Sequence, residues 1–469
     1  MKKILCTAAI LTAGIIPSFA DTQVVWFTAD KTGEPDDLMG QVYAMSENGE
    51  YALITDDEMA LCYLWRRSDP QQVQRLNWVV DGRIIPLELR GIANDGTYTG
   101  SYRPYQSTSW KPFVQSLGGE PVDLPMPADT RNMNYPCAMS ADGSIIGGYV
   151  GVGQMHPIIW QRGDDGYYQM HYNSSLRLPH QGFSVTCMYT DGTVEGTYLG
   201  GTLYCGAASN IPALYNNGEI IKWNELHSER VPWYYKGQVY GYETAAFIDA
   251  KRDLYFDSED YINAGFYCAD RDGNFYGTRM IVGESITDDP EDKNYGLTTQ
   301  SDKYMWGRFN TKSGEWHELE GYKQISCAID QNTFFVNQTI YKDGLDGAWQ
   351  PITTALDYSD EGHDVMGISR SSADGTVLGL TYQATDPMGV PHVYPFMIIR
   401  DEPLSSVCKV TADPVNKQVI LISPGSIQVV GAEQIQVYDL NGMQMPGDNL
   451  PSGIYIVIAD GISHKVQVP

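Results

Sequence analysis

The chain has 469 residues, with 58 acidic against 31 basic side chains and a formal net charge of −27. A field of that sign opposes the approach of phosphate backbones and anionic lipid surfaces, which excludes nucleic acid as a partner class. The length accommodates either two or three ordinary domains, or one large repetitive domain with a small companion.

Met1 to Ala20 reads as a secretory signal: Lys2 and Lys3, a mostly apolar run from Ile4 to Ile16, then the small-residue site Ser18-Phe19-Ala20. Cys6 lies too early to be a lipid-anchored cysteine. Beyond Ala20 there is no run of about eighteen apolar residues, so the mature chain is expected outside the cytoplasm with no membrane span. Seven cysteines then remain, an odd number that leaves at least one unpaired within the chain. None forms a C-x-x-C pair, and neither a metal site nor a cofactor is expected.

From residue 40 onward the chain repeats. Asp-Gly followed four residues later by a second glycine occurs as Asp95-Gly96 with Gly100, Asp142-Gly143 with Gly147, Asp191-Gly192 with Gly196, Asp272-Gly273 with Gly277, and Asp374-Gly375 with Gly379. Asn48-Gly49 (with Leu53) and Gln331-Asn332 (with Val336) are weaker copies. Asp-Gly between short apolar runs predicts a two-residue hairpin turn, and the second glycine predicts a close approach of a neighbouring backbone or bulky side chain. A third strand follows, expected to open on proline at Pro112, Pro157, Pro212 and Pro395, and often a fourth, such as Tyr167 to Met170. Four strands in units of forty to fifty residues describe a propeller blade. The long interval between Gly192 and Gly273 holds an insertion or a decayed unit near Ala245 to Phe256; about seven blades are expected, with six or eight open. Val24-Val25-Trp26-Phe27 is an early strand placed to complete the last blade and close the ring.

Ala138-Met139-Ser140-Ala141-Asp142-Gly143-Ser144, continuing to His156-Pro157-Ile158-Ile159-Trp160, resembles the extracellular HAF-type repeat, with a WD-like turn. The likeness spans Val42 to Arg400 and implies a propeller, not a ligand. Cys187, Cys268 and Cys327 stand five residues before the turn position, and Cys137 six, which suggests one strand site where cysteine serves as a small hydrophobe.

Catalytic signatures such as H-E-x-x-H, G-x-S-x-G and a P-loop are missing. Asp270, Asp272 and Asn274 superficially resemble a calcium loop, but Ile281 occupies its closing acid position and the hairpin turn accounts for the same residues. Better leads lie in the loops between second and third strands, on the face opposite the Asp-Gly turns. These carry Tyr102, Arg103, Tyr105, Trp110, His156, Tyr198, Tyr204, Tyr382, His392 and Tyr394, with Trp233 to Lys236, Tyr240 and Tyr242 in the insertion as a further rim. Aromatic faces and a guanidinium suit a glycan or an extracellular protein, and packing between blades is the plainer role for such rings. A propeller glycoside hydrolase with paired axial carboxylates is the alternative.

After Pro403 the repeat gives way to short strands between turns, which predicts a small Ig-like antiparallel β-sandwich. Tyr438, Asn441 and Gly442, then Leu450, Gly453 and Tyr455, then Lys465 follow a pattern similar to the type IX (Por) secretion C-terminal sorting domain. That resemblance implies the type IX machinery as a partner, and export to the cell surface or medium. The expected organisation is therefore all-β: signal peptide 1–20, β-propeller 21–403, sorting domain 404–469.

Overall fold

The computed structural model describes residues 22–27, 38–56, 61–176, 178, 182–204, 210–222, 230–235, 238–244, 265–280, 289, 304–319, 325–342, 350–360, 363–385, 389–404, 408–413, 418–423, 426–430, 435–439, 443–447, 450–451, 453–459 and 462–468. The expected signal segment, and Ala245 to Phe256, lie outside them. The regular secondary structure of the described residues is almost wholly strand; Ile352–Leu356 forms one short helix.

Among the described residues there are seven antiparallel four-stranded blades. Blade 1 is Gln41–Met45, Tyr51–Asp56, Leu61–Arg66 and Val73–Arg75; blade 2 is Leu87–Ile92, Tyr98–Tyr102, Lys111–Gln115 and Val122–Asp123. Blade 3 is Asn134–Met139, Ile145–Val152, Gln154–Arg162 and Tyr168–His171, joined by one bridge at Met155 and Gly182 to blade 4, Gly182–Tyr189, Tyr198–Tyr204, Asn210–Asn216 and Glu219–Lys222. Blade 5 is Phe266–Ala269, Asn274–Met280, Tyr304–Asn310 and Trp316–Leu319; blade 6 is Cys327–Asp330, Thr333–Val336, Thr339–Lys342 and Gln350–Pro351. Blade 7 takes Asp364–Ser371, Val377–Thr385 and Pro391–Arg400 from its own segment and Thr22–Trp26 from the start of the chain, with Val24 opposite Ile398. Each innermost strand packs against the next, and the seventh against the first, so the ring is closed. Innermost strands of blades 4 and 5 meet directly, and Thr186 Oγ1 donates to the Phe266 carbonyl. The intervening hairpin Arg230–Tyr235/Gln238–Thr244 is therefore an insertion, not an eighth blade in the ring.

The turns differ from the two-residue form that Asp-Gly suggests. Ser140 N donates to Ile145 O at 2.8 Å and Gly143 N to Ser140 O at 2.9 Å, so four residues, Ala141 to Ser144, span the strands, with only the glycine at positive φ (68°). A type I turn ending in a left-handed residue has this form. Its cause is the serine two residues before Asp142: Ser140 Oγ donates to Asp142 Oδ1 (2.7 Å) and accepts from Ile145 N (2.9 Å), while Asp142 Oδ1 also takes Ser144 N (2.9 Å). Blade 7 repeats this with Ser372, Asp374 and Thr376.

The second glycines Gly100, Gly147, Gly277 and Gly379 are crowded as expected, whereas Gly196 precedes its strand and a Cβ there would meet the Asp191 side chain of its own turn. A Cβ on Gly147 would meet Leu199 Cδ2 of blade 4 at 2.4 Å, and one on Gly379 would meet Val42 Cγ2 of blade 1 at 2.8 Å. The prolines sit inside the third strands rather than opening them. Pro112, Pro212 and Pro395 each immediately precede the residue where the fourth strand begins to pair, and Pro157 lies two residues before it, so the missing N–H falls where that neighbour has not arrived.

Between blades lie apolar cores. Val25, Phe27 and Met397 of blade 7 pack with Val42, Ala52, Ile54 and Trp65 of blade 1, and Ile145 and Ile159 with Phe183 and Leu199. Burying each such side chain contributes about 1.5–3 kcal/mol. The large third-strand rings keep their polar atoms bonded: Trp65 Nε1 donates to Pro70 O at 3.0 Å and Trp160 Nε1 to Pro125 O at 2.7 Å.

Beyond Leu404 a three-stranded sheet (Cys408–Asp413, Gln418–Ser423, Ser426–Val430) faces a four-stranded one (Gln444–Met445, Ile435–Asp439, Gly453–Ala459, Ile462–Val468). Ile427 packs with Val437, Leu450, Tyr455, Val457 and Val466 in one core, which makes the pair a sandwich. Tyr455 is buried with its hydroxyl on Pro451 O at 2.8 Å, Tyr438 OH bonds Gln436 Oε1 at 3.1 Å, and Gly453 and Lys465 lie on the paired final strands. Asn441 and Gly442 lie outside the described residues. Among the described residues no helix is long and apolar enough to cross a membrane.

Candidate functional site on the loop face and along the axis

The loop joining the second and third strands of blade 2 presents the most exposed of the candidate rings. Ser107 N donates to Pro104 O at 3.0 Å and Gln106 takes the left-handed conformation (φ 62°), a tight turn that pushes Tyr105 outward, 60% exposed. The Arg83 guanidinium lies over that ring at 4.1 Å, and Arg103 over the Trp110 ring at 5.5 Å. Blade 3 holds the loop: Asn134 Nδ2 donates to Trp110 O at 2.9 Å and Ser109 Oγ to Asn132 Oδ1 at 3.1 Å. Trp110 continues into a row of rings, Tyr135 at 5.9 Å and then Tyr149 a further 5.5 Å on. Burial first, and the charge of Glu88 second, push the Tyr135 hydroxyl up to about 12, so it stays protonated and able to donate.

The other candidates lie in four different settings. Tyr102 stands at the foot of the loop, bonded through its hydroxyl to Asp123 at 3.0 Å and packed against Trp78 at 5.1 Å. Tyr204, opposite Gly182 and Asn210, is also at the loop end of its strand. Tyr198 is not: it pairs with Tyr189, next to the Asp191-Gly192 turn, and so lies at the opposite end of blade 4, within the apolar core around Phe275. Spacing alone puts it on the loop face; the Asp191-Gly192 turn is longer than its counterparts, so the second strand begins only at Tyr198. Tyr382 and Tyr394 are buried, stacked at 5.3 Å beside Trp26 and Phe396, and His392 is half-buried beside Tyr394 at 6.4 Å; these rings pack blade 7.

His156 is buried against Tyr172 (5.8 Å) on the wall of a groove of about 460 Å³ that also holds Asp129, Gln154 and Ser174. Burial pushes its imidazole below the ordinary value, against the opposing pull of Asp129. The insertion hairpin carries Trp233, Tyr234, Tyr235, Tyr240 and Tyr242 on its two strands, while Lys236 lies outside the described residues.

A second region, which the sequence marked only through its cysteines, is the axis. All seven innermost strands contribute to a central cavity of about 210 Å³. Six residues before each turn position stand Tyr43, Arg90, Cys137, Thr186, Tyr267, Ser326 and Ser369; one residue later stand Ala44, Gly91, Ala138, Cys187, Cys268, Cys327 and Arg370. In six of the blades the first of these columns aims inward on a kink or next to one. The ladder skips one residue at Tyr43, Arg90, Cys137, Thr186, Tyr267 and Ser369, a β-bulge that turns an extra side chain to the lumen. Cys62, Cys137, Cys187, Cys268 and Cys327 are all free thiols. Burial pushes Cys137 and Cys187 up to about 12, and raises Cys268 and Cys327, so the column serves as small protonated packing groups.

Among the described residues the only charged ones on that wall are Arg90 and Arg370, and it offers no carboxylate pair for acid–base chemistry. Toward the turn face a further cavity of about 250 Å³ is bordered by Glu47, Asp270 and Arg271. Asp270 is spent on its own turn. Its oxygens accept from the Asp272 and Asn274 amides and Asn274 Nδ2 (2.8 Å) and Tyr276 OH (2.9 Å), and burial raises it to about 6. The calcium-like spacing of Asp270, Asp272 and Asn274 is thus a capped hairpin.

No family model matches the chain, and no curated protein matches it. Solved structures similar to it include a subtype N11 neuraminidase-like protein of A/flat-faced bat/Peru/033/2010, at 11% identity and TM-score 0.34 over 81% of this chain and 94% of that one. A mutant of AofleA from Arthrobotrys oligospora is similar at 10% identity and TM-score 0.31, over 88% of this chain and 92% of that one. A post-proline cleaving enzyme from Rickettsia typhi is similar at 11% identity and TM-score 0.36, over 88% of this chain but 56% of that one. Likenesses this low carry no argument about ligand or activity; the architecture rests on the strand pairing above, and the chain is an all-β protein built on a seven-bladed propeller.

Proposed function

We propose that the chain is a secreted or surface-exposed, non-enzymatic binding protein whose propeller holds a glycan on the face opposite the Asp-Gly turns. The observation that carries this reading is the blade 2 loop: an exposed Tyr105 backed by Arg83, and a Trp110 backed by Arg103, both fixed to a rigid ring. Sugar C–H faces stack on such rings while guanidinium and phenol groups supply directional hydrogen bonds. The test is a glycan array probed with the mature protein and with Arg103→Ala, Tyr105→Ala and Trp110→Ala. Loss of binding in the last two supports the site. Unchanged array binding in the triple variant, or binding only to extracellular proteins, overturns it.

Export through a type IX-like route to the cell surface or medium completes the proposal, supported by the order of Tyr438, Leu450, Gly453, Tyr455 and Lys465 in a folded terminal sandwich. Deleting residues 404–469 in a type IX-competent bacterium should trap the propeller in the periplasm. Release of the truncated chain at the normal level would refute this route.

A further inference from the structure

We propose that the axial cavity binds a small oxyanion, the carboxylate, sulfate or phosphate group of a ligand, between the guanidinium groups of Arg90 and Arg370. This site is separate from the loop-face glycan site and does not depend on it.

The first ground is the break in the repeat. Where blades 1 to 6 place Ala44, Gly91, Ala138, Cys187, Cys268 and Cys327, all small, blade 7 places Arg370. The neighbouring column puts Arg90 into the same space. A chain with 58 acids and 31 bases has thus lined its innermost wall with two bases and no acid. Low-dielectric walls carrying one sign of charge focus the field into the space between them.

The second ground is the state of Arg370. Its Nε donates to the Tyr43 carbonyl across the seam between blades 7 and 1 at 2.7 Å, and one Nη1 hydrogen goes to Ser369 O at 2.6 Å. A guanidinium has five N–H donors; Nη2 has no hydrogen-bond partner, and the group forms no ion pair, among the described residues. Protein surrounds it, yet part of its surface stays open to the lumen. Enclosure pushes its pKa below the ordinary arginine value, and the nearby Arg90 charge adds to that push. Arg90 lies over the Tyr43 ring at 4.6 Å and forms an ion pair at 3.5 Å with Glu88, which is not on the cavity wall. Two guanidinium groups lining one cavity of about 210 Å³ match an oxyanion, which would satisfy the remaining donors and the excess charge together.

The alternative role for Arg370 is a staple across the seam, and the experiment separates the two. Mature protein is titrated calorimetrically with sodium sulfate, sodium phosphate and sodium glucuronate against sodium chloride at matched ionic strength. The same titrations are run on Arg370→Met, Arg370→Lys and Arg90→Gln. The expected result is saturable one-to-one binding by the native protein, weakened at least tenfold in Arg370→Met and Arg90→Gln. Binding of sulfate or phosphate alone identifies a free inorganic anion as the occupant, and binding of glucuronate identifies an acidic sugar; either supports the site. Should Arg370→Met not fold, Arg370→Lys and Arg90→Gln, which keep a long polar chain in the lumen, decide the matter. No saturable binding by the native protein, or equal affinity in the variants, overturns the proposal and leaves Arg370 a staple.

Discussion

Asp374 Oδ1 accepts a hydrogen bond from Ser372 Oγ at 2.9 Å while Ser372 Oγ itself accepts from Val377 N at 3.0 Å, so one side-chain pair ties both ends of the blade 7 turn. Asp142 and Ser140 do the same in blade 3. Replacing either aspartate by alanine leaves the turn amides to solvent and should cost about 1 kcal/mol, as losing a helix cap does. Urea unfolding of Asp142→Ala and Asp374→Ala measures it; an unchanged midpoint would show that the glycine alone sets the turn.

The same turns give stability a pH dependence. Burial pushes Asp142 up, but the bonds from Ser144 and Ser140 outweigh it and hold the carboxyl below the ordinary value; Thr193 does this for Asp191. An acid whose pKa is depressed on folding stabilises fully above its unfolded value of about 3.9 and loses that contribution as pH falls through the folded value. Melting temperature should therefore drop as pH falls below about 4, and the drop should be smaller in an Asp142→Asn, Asp191→Asn double variant. Parallel acid limbs would count against these two residues.

Blade-to-blade contact at Gly379 leaves no room for a methyl group, since the nearest Val42 atoms would stand 2.8–2.9 Å away. Gly379→Ala should destabilise by about 1–3 kcal/mol. Gly119→Ala is the control, because its nearest neighbours would be 3.4 Å away in ordinary contact. Equal denaturation midpoints for the two variants would contradict the crowding.

The lumen thiols should be inert in the folded protein. With Cys137 and Cys187 raised to about 12, almost no thiolate exists at pH 8. Alkylation by iodoacetamide, followed by mass spectrometry, should be at least about a hundredfold slower in the native state than in urea. Rapid native labelling of Cys137 or Cys187 would mean the cavity activates its thiols.

Much of this architecture was legible because the turn chemistry is local. Asp-Gly needs only neighbouring residues to fold back, so it and its weaker copies at Asn48-Gly49 and Gln331-Asn332 recur recognisably in the sequence and count the blades; the apolar strand at Val24 to Phe27 equally gave away the closure. What stayed hidden depends on residues from different blades. The column containing Cys187, Cys268 and Cys327 was visible, but reading it only through cysteine missed that its blade 7 member is Arg370. The loop size was misjudged because Asp-Gly was weighed without the preceding serine, whose oxygen substitutes for a backbone partner. Among the aromatic candidates, spacing distinguishes neither strand end nor burial: Tyr198 sits at the turn face, and Tyr382 and Tyr394 fill a core, while Tyr105 and Trp110 keep exposed surface only because their loop turns through a left-handed Gln106.

Trp26 lies opposite Phe396 and stacks on it at 4.3 Å, so a residue made among the first waits for one made near the end. Until Pro391–Arg400 has emerged, the opening strand has no neighbour, and blade 7 shows a bare hydrogen-bonding edge. Such a wiring makes assembly wait on length: a chain that stops short of Arg400 keeps a sticky margin, inviting proteolysis or aggregation, and only one that reaches it can lock.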